Sequence, residues 1–498
     1  MAGVSRHGRL IGVAFTCVLL LAGATRAAAS TGRVLSPVLG GPPISSPLPP
    51  GFLGFSMEFY AVHQYVGNNP DAVNPVLVQL IRNLNPGQTP SLRIGGDSTD
   101  QSWWPVPGVL HPRGIDYPLT QGWLRTTAAL ADTLGAKLIV GINLMLHRPA
   151  LAAVEARALL AGLGSSIQAF EIGNESDLYG TLPWYLTARG KVRYGRPPTY
   201  NVTSFLQEFS NVRHALPPVP IAGPSFSSLP WMAEGLSPYL ASDPGISQVT
   251  FHRYPLRGCH VSTTSPSYPT VANLLSDFAQ AQLAQGVAPY VAIAHDHGLP
   301  FRVDELNSVA CAGTHGVSDT FASALWMLDT LFEMANVGVD GVNVHTLPNS
   351  RYSPFSFTHT GTTWQAAVHP EYYGMLMFAQ AAPPASRLLP ISGLPPGSLK
   401  MWATLAPDGT ERVVLINEDP ANPQSVVLGA PGSSATAELL TAPSVNATSG
   451  VTLGGQSFGD ASTTGLLSGA AQSATAYPVL GLYSVTVPPG SAMLLTLH

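Results

Sequence analysis

Ile167-Gln168-Ala169-Phe170-Glu171-Ile172-Gly173-Asn174-Glu175-Ser176-Asp177 is a mostly apolar run of strand length that opens into a polar turn. Phe301-Arg302-Val303-Asp304-Glu305-Leu306-Asn307-Ser308 repeats the pattern. Working outward from these two, strand-like runs are predicted at 51–59, 91–97, 136–144, 167–175, 220–226, 248–254, 301–305 and 341–345. Helical periodicity separates them, at 73–84, 122–134, 151–163, 203–215, 271–285 and 319–336. Eight such alternations predict a closed (β/α)₈ TIM barrel over residues 51–382.

A barrel of this kind gathers its chemistry at the C-terminal ends of its strands. The polar termini are there in the sequence: Glu58, Asp97, Asn143, Asn174 with Glu175, Ser225, His252 with Tyr254, Glu305 with Asn307, and Asn343 with His345. Only 10% of the 498 residues are charged. A carboxylate at the mouth of a buried strand is therefore costly and conspicuous.

After about Pro383 the texture changes to Pro-Pro pairs and short β-prone runs at 399–405, 412–417, 425–429, 436–440, 476–482 and 491–497, separated by small polar residues. These predict an antiparallel β-sandwich domain over 383–498. Residues 30–50 are expected to add a strand to it. Residues 1–29 read as a signal peptide: Arg6, His7 and Arg9, an apolar run at 10–22, and a small-residue cleavage site near Ala29. The expected location is secreted or periplasmic, with no membrane attachment once the signal is cleaved. Net charge is −5 with no basic run, so no nucleic-acid partner is expected. Signal removal takes Cys17 and leaves Cys259 and Cys311, an even pair that an oxidising compartment would join if their loops share one rim. The alternative is two unrelated buried thiols.

Two carboxylates at strand mouths suit a reaction in which one stays protonated and the other ionised. Apolar surroundings and a like charge would raise Glu175. Donors from other strand ends, Arg93 and Tyr254, would keep Glu305 ionised. The bland readings are a solvated Glu175 beside a capping Asn174, and a structural Glu305 paired with Arg302.

The motifs Leu53-Gly54-Phe55-Ser56-Met57-Glu58, Leu92-Arg93-Ile94-Gly95-Gly96-Asp97-Ser98, the Glu175 and Glu305 segments, and Gly316-Val317-Ser318-Asp319-Thr320-Phe321-Ala322-Ser323-Ala324-Leu325-Trp326 together resemble glycoside hydrolase family 79, the β-glucuronidase and heparanase-like family of clan A. The resemblance implies a secreted retaining exo-β-glucuronidase that removes terminal β-linked glucuronic acid from a glycan or glycoconjugate without a cofactor or metal. It implies Glu175 as acid/base, Glu305 as nucleophile, and a covalent glycosyl-enzyme intermediate. Glu58, Asp97, Asn174, Tyr254 and Tyr352 fall where the family places sugar-contacting or nucleophile-supporting groups. Some family glucuronidases carry a tyrosine shortly after the nucleophile; here the stretch is Val309-Ala310-Cys311-Ala312-Gly313. Backbone N–H groups around Ala312 and Gly313 would have to serve a substrate carboxylate instead. The rival readings are another clan A activity, such as an arabinofuranosidase or an endo-acting heparanase-like enzyme, and an inactive carbohydrate-binding barrel.

Three features remain open at this level. Trp103-Trp104 would stack on sugar or anchor a loop. His295-Asp296-His297 mimics a metal motif but precedes the seventh strand, at the predicted barrel bottom. Asn201-Val202-Thr203 and Asn446-Ala447-Thr448 match glycosylation sequons, which matter only in a host that glycosylates.

Overall fold

The structure is a computed structural model that describes residues 34–498; the expected signal peptide lies outside the described residues. Eight parallel strands close into a barrel: β1 (Leu53–Glu58), β2 (Ser91–Gly95), β3 (Lys137–Ile142), β4 (Ile167–Ile172), β5 (Ile221–Phe226), β6 (Ile246–Arg253), β7 (Phe301–Leu306) and β8 (Gly341–Thr346). They neighbour one another in sequence order, and β8 closes on β1, with Val342 opposite Leu53 and Thr346 opposite Met57. Most strand residues are buried, as strands covered by helices require.

The covering helices start and stop for local reasons. In α1 (Pro75–Leu84) the Asn74 side chain accepts from the N–H groups of Val76 and Leu77, Pro75 fills the first turn, and Val76, Leu77, Leu80, Ile81 and Leu84 form the buried stripe. In α2 (Gln121–Leu134) Thr120 caps the start and left-handed Gly135 ends it. Then follow α3 (Pro149–Leu163), α4 (Val202–Ala215), α5 (Leu229–Ser242) and α6 (Ala288–Asp296). Asn201, the first residue of one sequon, caps α4 by accepting from Ser204 N–H.

The helix α7 (Phe321–Asn336) is mostly apolar and almost wholly buried, with Asp329 and Thr330 among its buried residues. Its start donates backbone N–H groups to the carbonyls of Val445 and Ala447 in the C-terminal region. It also packs closely against α8 (Pro370–Ala381), where a Cβ on Gly374 would collide with the Ala324 backbone. A helix held between barrel, sandwich and neighbouring helix presents little of its surface to solvent.

The C-terminal region forms two sheets over their own apolar core, which includes Leu399, Val413, Leu415, Val426, Leu428, Tyr483 and Leu495. One sheet runs through β9 (Leu399–Leu405), β10 (Glu411–Asn417), β14 (Ser491–Leu497) and β12 (Ala435–Thr441); the other holds β11 (Gln424–Gly429) and β13 (Leu482–Val487). Val38–Leu39 pairs with Ile391–Ser392 and, in parallel sense, with β11. The strand expected at 476–482 is a correction: the chain stops being extended after Ala476, turns through Pro478, Leu480 and Gly481 with the last two at positive φ, and starts β13 only at Leu482. Pro478 and Gly481 carried that turn signal. Among the described residues no helix is long and apolar enough to cross a membrane.

Candidate active site

Arg93 organises the mouth of the barrel. Its side chain rises from β2 with no solvent exposure and needs room that a Cβ on Gly95 would take, 2.8 Å from its guanidinium carbon. Nε and Nη2 reach Glu171 Oε2 on β4 at 2.7 Å, Nη1 reaches Glu305 Oε2 on β7 at 2.7 Å, and Nη2 donates to Asn174 Oδ1 at 2.8 Å. Burial opposes its charge, but Glu171, Asp304 and Glu305 more than restore it and hold Arg93 protonated.

Glu305 is 7% exposed. Burial alone would neutralise it. The neighbouring His345, His252 and Arg93, and a 2.8 Å hydrogen bond donated by the Tyr254 hydroxyl, reverse that effect and keep it ionised far below the usual carboxylate range. His345 stands 3.7 Å from Glu305 and 3.6 Å from Glu58, which raise it against its burial. Arg302, the alternative partner, points to the other end of the strand, where it donates to Gly51 O and Asn343 Oδ1.

Glu175 is pushed the other way. It follows β4 in the left-handed conformation, φ 47°, with its N–H donated to Ser225 O. Burial, then the charges of Glu305, Asp177 and Asp97, raise it well above the ordinary glutamate range. Its Oε1 lies 3.0 Å from Nδ1 of His252, a fully buried ring lowered to about 4 by burial and therefore neutral near pH 7. Carboxylate oxygens of Glu175 and Glu305 and a ring nitrogen of His252 all lie within 4.8 Å of one another. Two neighbouring acids of opposite protonation can deliver a proton and a nucleophile to one bond.

Several supports carried no clear sequence signal. Asp100 accepts from Leu144, Met145 and Asn174 N–H and from the Tyr179 hydroxyl, binding the ends of β3 and β4 together. Asp304 and Glu171 form a buried acid pair beneath Arg93; burial and the Glu171 charge raise Asp304, while Arg93 keeps Glu171 low against its burial. Neither Asp304 oxygen has a donor partner, which fits a protonated Asp304 giving its hydrogen to Glu171. Glu171 and Asp304 lie inside strands and Asp100 beyond the end of one, where a polar residue carries no signal of its partner. The described residues offer two triads of metal-ligand type, Glu171 with His252 and Asp304, and Glu175 with His252 and Glu305. Arg93 already sets its charge against Glu171, Asp304 and Glu305, where a cation would have to sit.

The other expected residues divide. Asn174 donates to Asp97 Oδ1 at 3.3 Å, and Asp97 stands exposed at the rim. Tyr352 is buried beside Tyr254 and His345. Glu58 accepts from the N–H groups of Asp97 and Ser98, one on each oxygen, and a Cβ on Gly96 would strike it. The Gly313 N–H is donated to Val309 O. The neighbouring Ala312, exposed and at φ 64°, gives its carbonyl to Arg351 N–H, which seats the turn against Tyr352. Cys259 and Cys311 are disulfide-bonded, with Cα atoms 6.2 Å apart. Trp103 is buried and serves as a loop anchor. His295 meets Asp340 at the opposite end of the barrel.

A closed eight-stranded barrel with an oppositely biased carboxyl pair at its mouth and a β-domain behind defines a glycoside hydrolase. Residues 401–494 match the model of the glycosyl hydrolase family 79 C-terminal beta domain. It is 27% identical over 428 residues to a beta-glucuronidase of Neurospora crassa, covering 75% of this chain and 73% of that one. It is 24% identical over 364 residues to a beta-glucuronidase of Aspergillus niger, covering 66% of this chain and 64% of that one, just under two thirds of the relative. Its fold matches a 4-O-α-L-rhamnosyl-β-D-glucuronidase from Fusarium oxysporum with a TM-score of 0.73 at 21% identity, covering 93% and 100% of the two chains. A family 51 arabinofuranosidase from Xanthomonas axonopodis matches at 0.63 and 15%, also over 93% and 100%.

Proposed function

We propose that the protein is a secreted retaining exo-β-glucuronidase. The observation that carries the mechanism is the close approach of Glu175 and Glu305, within 4.8 Å, with Glu175 biased toward its acid and Glu305 toward its anion. A retaining pair stands at about 5–5.5 Å, whereas an inverting pair is held about 6.5–9.5 Å apart to admit water. Ionised Glu305 attacks the anomeric carbon while Glu175 protonates the departing oxygen. Glu175, now a carboxylate, takes a proton from water, which releases the sugar from its ester to Glu305. Asn174 keeps one amide hydrogen free for the sugar 2-hydroxyl, and Tyr254 steadies the anion of Glu305.

Preference for glucuronic acid draws support from the two beta-glucuronidase relatives. In the site the candidates for the sugar carboxylate are the Tyr352 hydroxyl and the Ala312 N–H, which makes no hydrogen bond among the described residues. The test is kcat/KM for nitrophenyl β-glucuronide, β-glucoside and β-galactoside at one pH. A donor left unpaired by a hydroxymethyl costs about 1–3 kcal/mol, so the glucuronide should lead by roughly tenfold or more. Equality of glucuronide and glucoside would remove the glucuronidase reading and favour an arabinofuranosidase-like activity.

A further inference from the structure

Arg253 is a mostly enclosed cation without an acceptor. It ends β6, between His252 and Tyr254. Phe251 and Arg253 leave the strand on its helix side: Phe251 meets the Tyr290 ring of α6 edge to face, and the Arg253 guanidinium lies 5.5 Å from the Phe251 ring centroid. His252, between them, turns into the barrel toward Glu175 and Ser225. The Arg253 Nε is buried with no partner, and among the described residues its side chain makes no hydrogen bond or ion pair. The other largely buried arginines of the barrel are all provided for. Arg93 has Glu171 and Glu305, Arg196 has Glu208, Arg213 has Asp243, and Arg302 has the Gly51 carbonyl and Asn343. An enclosed arginine without such a partner is rare, because taking its charge out of water is costly.

The charge that bears most on Arg253 is another cation, Arg257. Burial and then this repulsion lower Arg253 to about 10, so it stays protonated near pH 7, and neither Glu175 nor Glu305 offsets the effect. Arg257 is seated by its backbone. It pairs with Ala310 in the short ladder beside the Cys259–Cys311 bond and donates its N–H to Ser267 O. Its side chain is exposed, so the pair opens to solvent. The loop from Arg257 to Ser267 carries no Asp or Glu; it adds His260 and a run of hydroxyls, Ser262 to Ser265. Two guanidinium groups held together without a carboxylate suit an oxyanion, since each fork offers paired N–H donors. A tetrahedral anion has oxygens enough for both forks. A neutral hydroxyl would leave their repulsion standing.

We propose that Arg253 and Arg257 form a binding site for sulfate or phosphate, free or as an ester on a sugar, on the helix side of β6 and separate from the carboxyl pair, and that the bound anion steadies the strand end carrying His252 and Tyr254. The test is titration calorimetry of the purified protein with sodium sulfate, sodium phosphate and glucose 6-sulfate, at one ionic strength held with sodium chloride. Wild type should bind one anion per chain with a millimolar or tighter Kd. Arg253→Gln and Arg257→Gln should each weaken binding by roughly tenfold or more, the loss expected for a charge-assisted hydrogen bond. Arg157→Gln, which removes an exposed charge on α3, should leave it unchanged. Arg257 is exposed, so its variant keeps the fold even if Arg253→Gln does not. Sulfate should also raise the Tm of wild type more than that of Arg257→Gln, because a ligand held only by the native state stabilises it. Tighter binding of glucose 6-sulfate than of sulfate would support the site and identify a group carried on a sugar; equal or weaker binding would support it as a site for the free ion. No binding by wild type, full binding by Arg257→Gln, or an equal loss in Arg157→Gln would overturn the proposal. None of these measurements needs turnover, so the outcome is independent of the glucuronidase reading.

Discussion

Nη1 of Arg93 lies 2.7 Å from Oε2 of Glu305, and neither side chain is more than 9% exposed. One guanidinium also serves Glu171 and Asn174 in the same plane, so three strand ends share a single rigid fork. Arg93→Lys keeps the charge but cannot make three planar contacts. It should lower kcat by about a hundredfold or more on every substrate and destabilise the fold by about 3–5 kcal/mol, the usual cost of leaving buried charges without a partner. Steady-state kinetics and urea unfolding measure the two effects; a variant of full stability and near-normal kcat would show that the fork is dispensable.

The roles proposed for the two glutamates separate by leaving group. Glu305→Ala should abolish turnover of all substrates, and azide should not restore the natural β-product. Glu175→Ala should keep partial activity toward dinitrophenyl substrates, which leave with little protonation, and lose about a hundredfold or more toward alkyl ones. Proton NMR of the first product should show the β-anomer. Losses that do not depend on the leaving group, or an α-anomer appearing first, would contradict the assignment.

The basic limb of the kcat/KM profile should follow Glu175. Burial raises it first, and Asp177 is among the charges that add to this. The Asp177 carboxylate accepts from Ser227 and Ser228 N–H at the start of α5, contacts an amide oxygen can still accept. In Asp177→Asn a negative charge is gone, ionising Glu175 becomes easier, and the basic limb moves to lower pH while the acid limb stays in place. A limb that does not move, or moves upward, would mean that another group governs it.

The disulfide joins loops after β6 and β7 and closes a separation of 52 residues. Chain entropy for such a loop corresponds to about 4 kcal/mol. Replacing both Cys259 and Cys311 with serine should therefore cost about 2–4 kcal/mol in chemical denaturation. A loss under about 1 kcal/mol would show that the loops are held by their other contacts.

The barrel could be read from the sequence because each strand announces itself twice, by an apolar run and by a polar residue at its mouth. Glu175 and Glu305 stood out for the same reason: they end such runs. Glu171, Asp304 and Asp100 did not, since a lone acid inside or just beyond a strand has the same appearance whether it is solvated or buried under an arginine. Only the closure of the barrel brings Arg93 of β2 to Glu171 of β4 and Glu305 of β7. Glu58 sits where a sugar contact would, yet its partners are two N–H groups 39 and 40 residues onward, a pairing that no local pattern encodes. The turn at 477–481 departs from the expected strand because Tyr477, Val479 and Leu480 suit a strand, while Pro478 and Gly481 decide the backbone.

The junction of barrel and sandwich carries a pH dependence of its own. Asp329 on α7 is fully buried; Trp402 on β9 donates to its Oδ1 at 2.7 Å, and Oδ2 has no partner. Glu333 on the same helix, Asp277 and Glu418 face the same region, with Gln280 bonded to Glu418 and Lys400 bonded to Asp277. Four acids against one lysine leave an excess of negative charge. Burial raises Asp329 to about 6, the Trp402 bond and Lys400 only partly opposing it. A carboxyl whose folded value is raised adds stability that is complete below its unfolded value, about 3.9, and is lost as pH rises through about 6. The wild type should therefore lose stability between about pH 4 and pH 7 relative to Asp329→Asn, which keeps the acceptor for Trp402 and cannot ionise. At pH 8 the variant should be more stable by on the order of 2–3 kcal/mol, and near pH 4 the two should agree. Urea unfolding at pH 4, 6 and 8 measures the difference. A gap that stays constant across the three, or one that opens at pH 4 and closes at pH 8, would show that Asp329 is ionised at the junction throughout.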